Sequence, residues 1–253
     1  MSVVGSVYIV KIIFVEMVGE MVGNGFRAYI AGSELYEKTD SLAREKLGKD
    51  SRAYSRVMYG VDTDKGTGSK FLFNTLMDQC LPLGQRVATL KDLEKIFDCD
   101  EGFLDGFHVD TSQIVLRTQT LSNRLNAYIL GPLIDYIHGK GLTFSSENPL
   151  IISGLDFRSD DDPFNEGYGL RLNFQGGRIS AENDKRLAHE NYEGRLVPFG
   201  NGQKKIYTWE DGLSGICLSV MGNLGTGGTD LHESSEEGRV VIFEGESQLN
   251  LDY

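Results

Sequence analysis

Leu213 to Phe243 reads LSGICLSVMGNLGTGGTDLHESSEEGRVVIF. Leucines recur at Leu213, Leu218, Leu224 and Leu231. Most positions between them are small, including Ser214, Gly215, Ser219, Gly222, Asn223, Gly225, Thr226, Gly227, Gly228 and Thr229. The stretch closes on Gly238-Arg239-Val240-Val241-Ile242-Phe243, whose apolar, β-branched run has the length of a buried strand. A few apolar anchors thus carry a segment whose remaining positions follow no visible periodicity. That pattern predicts a surface that can change on a fixed scaffold. Each buried leucine would contribute on the order of 1.5–3 kcal/mol. Solvent-facing positions between them would tolerate replacement within about 0.5 kcal/mol.

Working outward, the 253 residues, 40% of them hydrophobic, suffice for a sizeable core. The net charge of −12 disfavours a phosphate backbone or an anionic membrane as partner, so neither nucleic-acid binding nor membrane insertion is expected. Three cysteines, Cys80, Cys99 and Cys217, form no C-x-x-C pair. An odd, sparse set speaks against a disulfide framework and a structural zinc site, and predicts small buried hydrophobes. Val3 to Val22 is apolar but interrupted by Lys11, Glu16 and Glu20, which is too broken for a transmembrane helix and a poor signal peptide. A strand or hairpin over Tyr8 to Val15 is expected. Residues 1–22 are read as an apolar N-terminal segment and 23–253 as a single domain whose variable region spans about 213–239.

Helical periodicity marks Ser33 to Leu47, ended by Gly48. Ser51 to Tyr59 fits a strand or a short helix. Asp62 to Ser69 is a loop without the spacing of a phosphate-binding loop. Thr89, with Asp92 three residues on, caps a helix whose apolar face is Leu90, Leu93, Ile96 and Phe97. Ile114 to Leu116 reads as a strand, and Leu121 to Ile137 as a longer helix strained at Gly131-Pro132. After Gly139 the helical signal fades. Strands are expected at Pro149 to Ile152, Gly169 to Phe174, Arg195 to Phe199, Lys205 to Trp209 and Arg239 to Phe243, with turns between them. A helical first half and a loop-rich β second half predict an α+β fold.

His108-Val109-Asp110 places two possible ligands on one side of a strand, but a metal site needs a third and fourth. His138, His189 and His232 are scattered. Asp156, Asp160, Asp161, Asp162, Asn165 and Glu166 lack the spacing of a twelve-residue calcium loop. No Gly-x-Ser-x-Gly elbow occurs. No catalytic residues, metal or cofactor are assigned from the sequence.

The C-terminal segment resembles the variable region of diversity-generating retroelement variable proteins, which carry a C-type-lectin-like fold. Gly238-Arg239-Val240-Val241 is similar to the family's closing motif, and Tyr207-Thr208-Trp209-Glu210-Asp211-Gly212-Leu213 to the approach to its variable region. Pro163 to Leu172 gives looser support. In that family, adenines in Asn-type codons are replaced at random when a template is copied. The resemblance therefore implies variable, ligand-binding positions at Ser214, Gly215, Cys217, Ser219, Val220, Gly225, Gly227, Gly228, Thr229, His232 and Ser234. Ile216 is also in the reachable set, whereas Met221, Glu233, Glu236 and Glu237 are not and would be fixed. The catalytic cysteine pair of the related formylglycine-generating enzymes has no counterpart here. Nor does the calcium set of sugar-binding lectins, since Glu147-Asn148-Pro149 has the wrong order and Trp209-Glu210-Asp211 is only a near match.

The implied function is non-catalytic display of a diversified face toward a protein or other macromolecular ligand. The alternatives are a metal-dependent or acid-base hydrolase using His108, Asp110 and the 156–166 carboxylates, and a structural virion component. A cytoplasmic or virion-associated location is the expectation.

Overall fold

The computed structural model describes residues 19–23, 25–119, 126–160, 162, 167–176, 178–188, 194–208, 212–219, 222–226, 231 and 238–245. The expected strand at Tyr8 to Val15 lies outside them. In chain order the elements begin β1 (Glu20–Gly23), β2 (Phe26–Ile30), α1 (Ser33–Leu47), α2 (Arg52–Met58), α3 (Phe71–Cys80), β3 (Gln85–Val87), α4 (Leu90–Cys99), β4 (His108–Leu116) and α5 (Ala127–Gly139). They continue β5 (Leu150–Ser153), β6 (Phe157–Ser159), β7 (Leu170–Leu172), β8 (Ser180–Asn183), β9 (Arg195–Phe199) and β10 (Gly202–Thr208). The last are β11 (Leu213–Leu218), β12 (Leu224–Thr226), β13 (Gly238–Arg239) and β14 (Val241–Gly245). The class is α+β.

The helices form where their termini and faces dictate. α1 buries Leu35, Tyr36, Thr39, Ala43 and Leu47, and Gly48 ends it at φ 81°, a conformation that favours glycine. Ser51 accepts a hydrogen bond from the Tyr54 N–H, which fixes α2 as a helix rather than a strand. Thr89 and Asp92 cap α4 reciprocally, and Arg86 holds the Asp92 carboxylate through two 2.7 Å hydrogen bonds. α3 is buried continuously from Phe71 to Met77. Its polar Asn74 and Thr75 are buried along with its apolar residues, so polarity in the sequence does not mark its solvent side. α5 contains Pro132, and the start of the expected Leu121–Ile137 helix falls outside the described residues.

Two main sheets organise the described residues, beside an antiparallel pair of β6 and β7. The small one has the order β1-β2-β14-β3. In it Val241, Ile242 and Phe243 pair with Ile30, Tyr29 and Ala28, so the last described strand closes against one of the first. Phe26 and Phe243 stack across this seam at 4.8 Å. The large sheet runs β8-β5-β4-β11-β12-β10-β9, with β13 added to β4. The closing motif passes from one sheet to the other: Gly238 and Arg239 run parallel to His108 and Val109, and after Val240 the chain joins β2.

The core lies on both faces of the large sheet. Ile114, Leu116, Leu150 and Ile152 pack with residues of α1, α3 and α5. Val109, Val115, Ile151, Ile216, Leu218 and Leu224 pack on the opposite side with Leu90, Leu93, Ile96 and Phe97 of α4. Among the described residues no helix is long and apolar enough to cross a membrane.

Candidate functional site

β11 and β12, which periodicity did not reveal, form an antiparallel hairpin beside β4. Leu213, Ser214 and Gly215 pair with Leu116, Val115 and Ile114, whereas Cys217 and Leu218 pair with Asp110 and Val109. Between Gly215 and Cys217, Ile216 therefore stands opposite the excess residues Thr111, Ser112 and Gln113 of β4. Thr111 Oγ1 donates to the Ile216 carbonyl at 3.1 Å, and Gln113 Oε1 accepts from the Leu90 N–H at 2.7 Å. These bonds satisfy a buried polar irregularity that would otherwise be costly. They also explain why β4 runs from His108 and not merely from the expected Ile114.

Strand alternation sorts the hairpin into two faces. Ile216, Leu218 and Leu224 point into the core beneath α4. Ser214 shares that face and is fully buried, its hydroxyl accepting from Arg117 Nη1 at 3.3 Å. Ser214 is thus a core residue, which corrects its assignment to a solvent-facing surface. Arg117, also buried, donates through Nε to the Leu187 carbonyl at 3.0 Å and through Nη2 to Thr226 Oγ1 at 2.5 Å. On the other face Gly215, Cys217 and Gly225 are half-buried. Leu213 lies on that same face but is covered by the helical layer, so this side of β11 runs from closed at Leu213 to open at Cys217.

Ser219 is half-buried in the hairpin turn, where its N–H donates to the Asn223 carbonyl at 2.8 Å. Gly222, at φ 69°, permits that turn. Leu213, Leu218, Leu224 and Leu231 are all buried. Val220, Gly227, Gly228, Thr229, His232 and Ser234 lie outside the described residues, as do Trp209, Glu210 and Asp211.

Across the open face the register sets a row over four adjacent strands. Asp110 of β4 is opposite Cys217 of β11, Cys217 opposite Gly225 of β12, and Gly225 beside Tyr207 of β10. Gly225 notches the row, since a Cβ there would stand 2.9 Å from Cys217 Sγ. Tyr207 lies against Gly194, where a Cβ would approach the ring to 2.7 Å.

His108, two residues before Asp110, projects from the same side of β4 and completes a cluster. The possible ligand atoms of His108, Asp110 and Cys217 all lie within 4.8 Å of one another, and all three residues are half-buried. His108 Nε2 approaches Asp110 Oδ2 at 3.2 Å, yet the alignment is not that of a hydrogen bond and Oδ2 has no hydrogen-bond partner among the described residues. Burial lowers the His108 pKa, but the neighbouring Asp110 carboxylate and Cys217 thiol outweigh it and push it up to about 10. The Asp110 backbone is held on both sides: its N–H donates to Ser69 Oγ at 3.1 Å and its carbonyl accepts from Asn74 Nδ2 at 2.7 Å.

The remaining sequence candidates are engaged elsewhere. Asp156 is buried under Lys46, Gln79 and Asn173, with oxygen contacts of 2.5, 3.0 and 2.8 Å. Asp160 accepts from Arg171 at 2.6 Å. Neither joins His108 and Asp110, and Asp161, Asn165 and Glu166 lie outside the described residues. His138 stacks on Phe144 in a separate part of the fold. Cys80 is buried as expected, and burial pushes its thiol pKa up, but Cys99 is exposed. Sequence reasoning found the His-x-Asp pair and missed Cys217 as its companion. No spacing signals a residue brought in from another strand. Comparisons of the chain with protein-family models, with curated proteins and with solved structures return no match.

Proposed function

We propose that this chain is a non-catalytic ligand-binding display protein with a C-type-lectin-like fold, whose recognition surface is the open face of the β11–β12 hairpin and the residues that follow it. One observation carries the reading. On a single hairpin, alternation buries Ile216, Leu218 and Leu224 while Gly215, Cys217 and Gly225, all within the implied variable set, share the opposite, accessible face. At Gly215, where an added Cβ meets nothing within 4 Å, an outward side chain can be exchanged without disturbing the packed one beside it. The closing motif Gly238-Arg239-Val240-Val241 supports the reading too, because it joins the two sheets and so must stay fixed.

The face is poor in large side chains. Binding hot spots favour Trp, Tyr and Arg, so Tyr207 is the aromatic anchor available beside the hairpin, and this copy binds its protein or other macromolecular ligand weakly. The test is the DNA around the gene. A nearby reverse transcriptase, with a second imperfect copy of the codons for Leu213 to Val241 mismatched only opposite template adenines, is the expected finding. Absence of both overturns diversification.

A further inference from the structure

We propose that His108, Asp110 and Cys217 form a binding site for a divalent metal ion of the zinc class, with one coordination position left open. The inference stands on geometry and does not require the display reading. The sequence offered only two ligands on β4; the antiparallel register supplies the third by setting Cys217 opposite Asp110. Imidazole, carboxylate and thiol groups within 4.8 Å of one another provide one ligand atom each. Zinc bond lengths of about 2.0–2.3 Å put tetrahedral ligand atoms roughly 3.3–3.8 Å apart. His108 and Asp110 already meet at 3.2 Å, so seating the ion asks for a modest closure by Cys217.

The donor set selects the metal. Calcium and magnesium take oxygen ligands, whereas a thiolate beside an imidazole suits zinc. Three protein ligands leave a fourth position open to water or another small ligand, which distinguishes the site from a closed, four-ligand structural zinc site. The surroundings fit as well. Asp110 Oδ2 is a buried acceptor with no hydrogen bond, and the neighbouring Asn74 has a buried Oδ1 in the same state. Buried acceptors without a hydrogen bond are rare in folded proteins; Asp110 Oδ2 has its 3.2 Å ion contact with His108, and a metal ion would bind both groups directly. Ser69 and Asn74 clamp the Asp110 backbone, holding the ligand in place as outer-shell contacts do in metal sites. Gly225 leaves room for the Cys217 sulfur.

The experiment titrates Co²⁺, a spectroscopic substitute for zinc, into the reduced, metal-stripped full chain. The expected result is one Co²⁺ per chain with a thiolate-to-metal charge-transfer band, displaced by Zn²⁺. Cys217→Ser removes the band. His108→Ala and Asp110→Asn each weaken zinc by at least about tenfold, since even outer-shell losses cost about 10–100-fold. Cys99→Ser, altering the exposed cysteine, leaves the band unchanged. No band, a band that survives Cys217→Ser, or one that vanishes with Cys99→Ser overturns the site. Near-ultraviolet circular dichroism verifies that each variant is folded. Should Cys217→Ser unfold, the His108 ring resonances of the wild-type chain decide between the outcomes: they shift on adding one equivalent of Zn²⁺, and unmoved resonances overturn the proposal.

Discussion

The two faces of the β11–β12 hairpin carry two polar clusters of opposite character. On the packed face Arg117 is buried among acceptors that its guanidinium meets, namely the Leu187 carbonyl, Ser214 Oγ, and the carbonyl and hydroxyl of Thr226. On the open face His108, Asp110 and Cys217 stand close together, yet Asp110 Oδ2 makes no hydrogen bond. Both clusters draw on β4 and β11. The contrast teaches that a fully hydrogen-bonded cluster around a guanidinium fastens a fold at any ordinary pH, whereas one held by an ion contact to a histidine does so only while that histidine is charged.

Breaking the packed face should have the largest consequence. Leu218→Ala removes a fully buried anchor beneath α4 and should lower the unfolding free energy by about 2–5 kcal/mol in urea denaturation. A loss below about 1 kcal/mol would mean that the hairpin is not packed as described. Arg117→Met tests the polar half of the same face. It strands the Ser214 hydroxyl and the Leu187 and Thr226 carbonyls, while the Thr226 hydroxyl keeps its bond to the Tyr207 carbonyl; unmatched buried groups cost about 1–3 kcal/mol each, so a loss of at least about 3 kcal/mol is expected.

On the open face the expected effects are smaller and depend on pH. The His108 pKa is raised from its ordinary 6.5 to about 10, so the metal-free folded state holds that proton more tightly than the unfolded chain does. The stability this confers is complete below the unfolded value and is lost as pH rises through the folded one. The urea midpoint of the metal-free wild type, relative to His108→Gln, should therefore decline between pH 7 and 10. A difference that stays flat across that range would contradict the charged contact. The smallest effect belongs to Gly215→Ser. A Cβ at Gly215 meets nothing within 4 Å, so the change should stay within about 0.5 kcal/mol by thermal or urea unfolding. A loss comparable to that of Leu218→Ala would erase the distinction between the faces.

Much of the helical part was legible in the sequence because its signals are local. Ser33 to Leu47 and Leu90 to Phe97 carry their apolar period and caps within one turn of the chain. α3 was illegible because Asn74 and Thr75 are buried with its apolar residues, so its polar positions do not mark its solvent side. β11 and β12 were hidden by glycine at the open-face positions Gly215 and Gly225 and by polar Ser214 on the packed face, which blur the alternation that marks a strand. The leucine anchors could be named, but whether Ser214 faced the core or the surface depended on Arg117, nearly a hundred residues earlier in the chain.

The sequence by itself determined the α+β class, the capped helices, the apolar anchors of the C-terminal segment and the His-x-Asp pair on β4. Each is written in spacings of a few residues, and a spacing fixes which side chains share a face. The tertiary structure alone decided which face of the hairpin is packed and that Cys217 stands beside His108 and Asp110. It also decided that the closing motif ties one sheet to the other. Those facts depend on strand register between segments far apart in the chain. Register is set by the whole core and has no local signature.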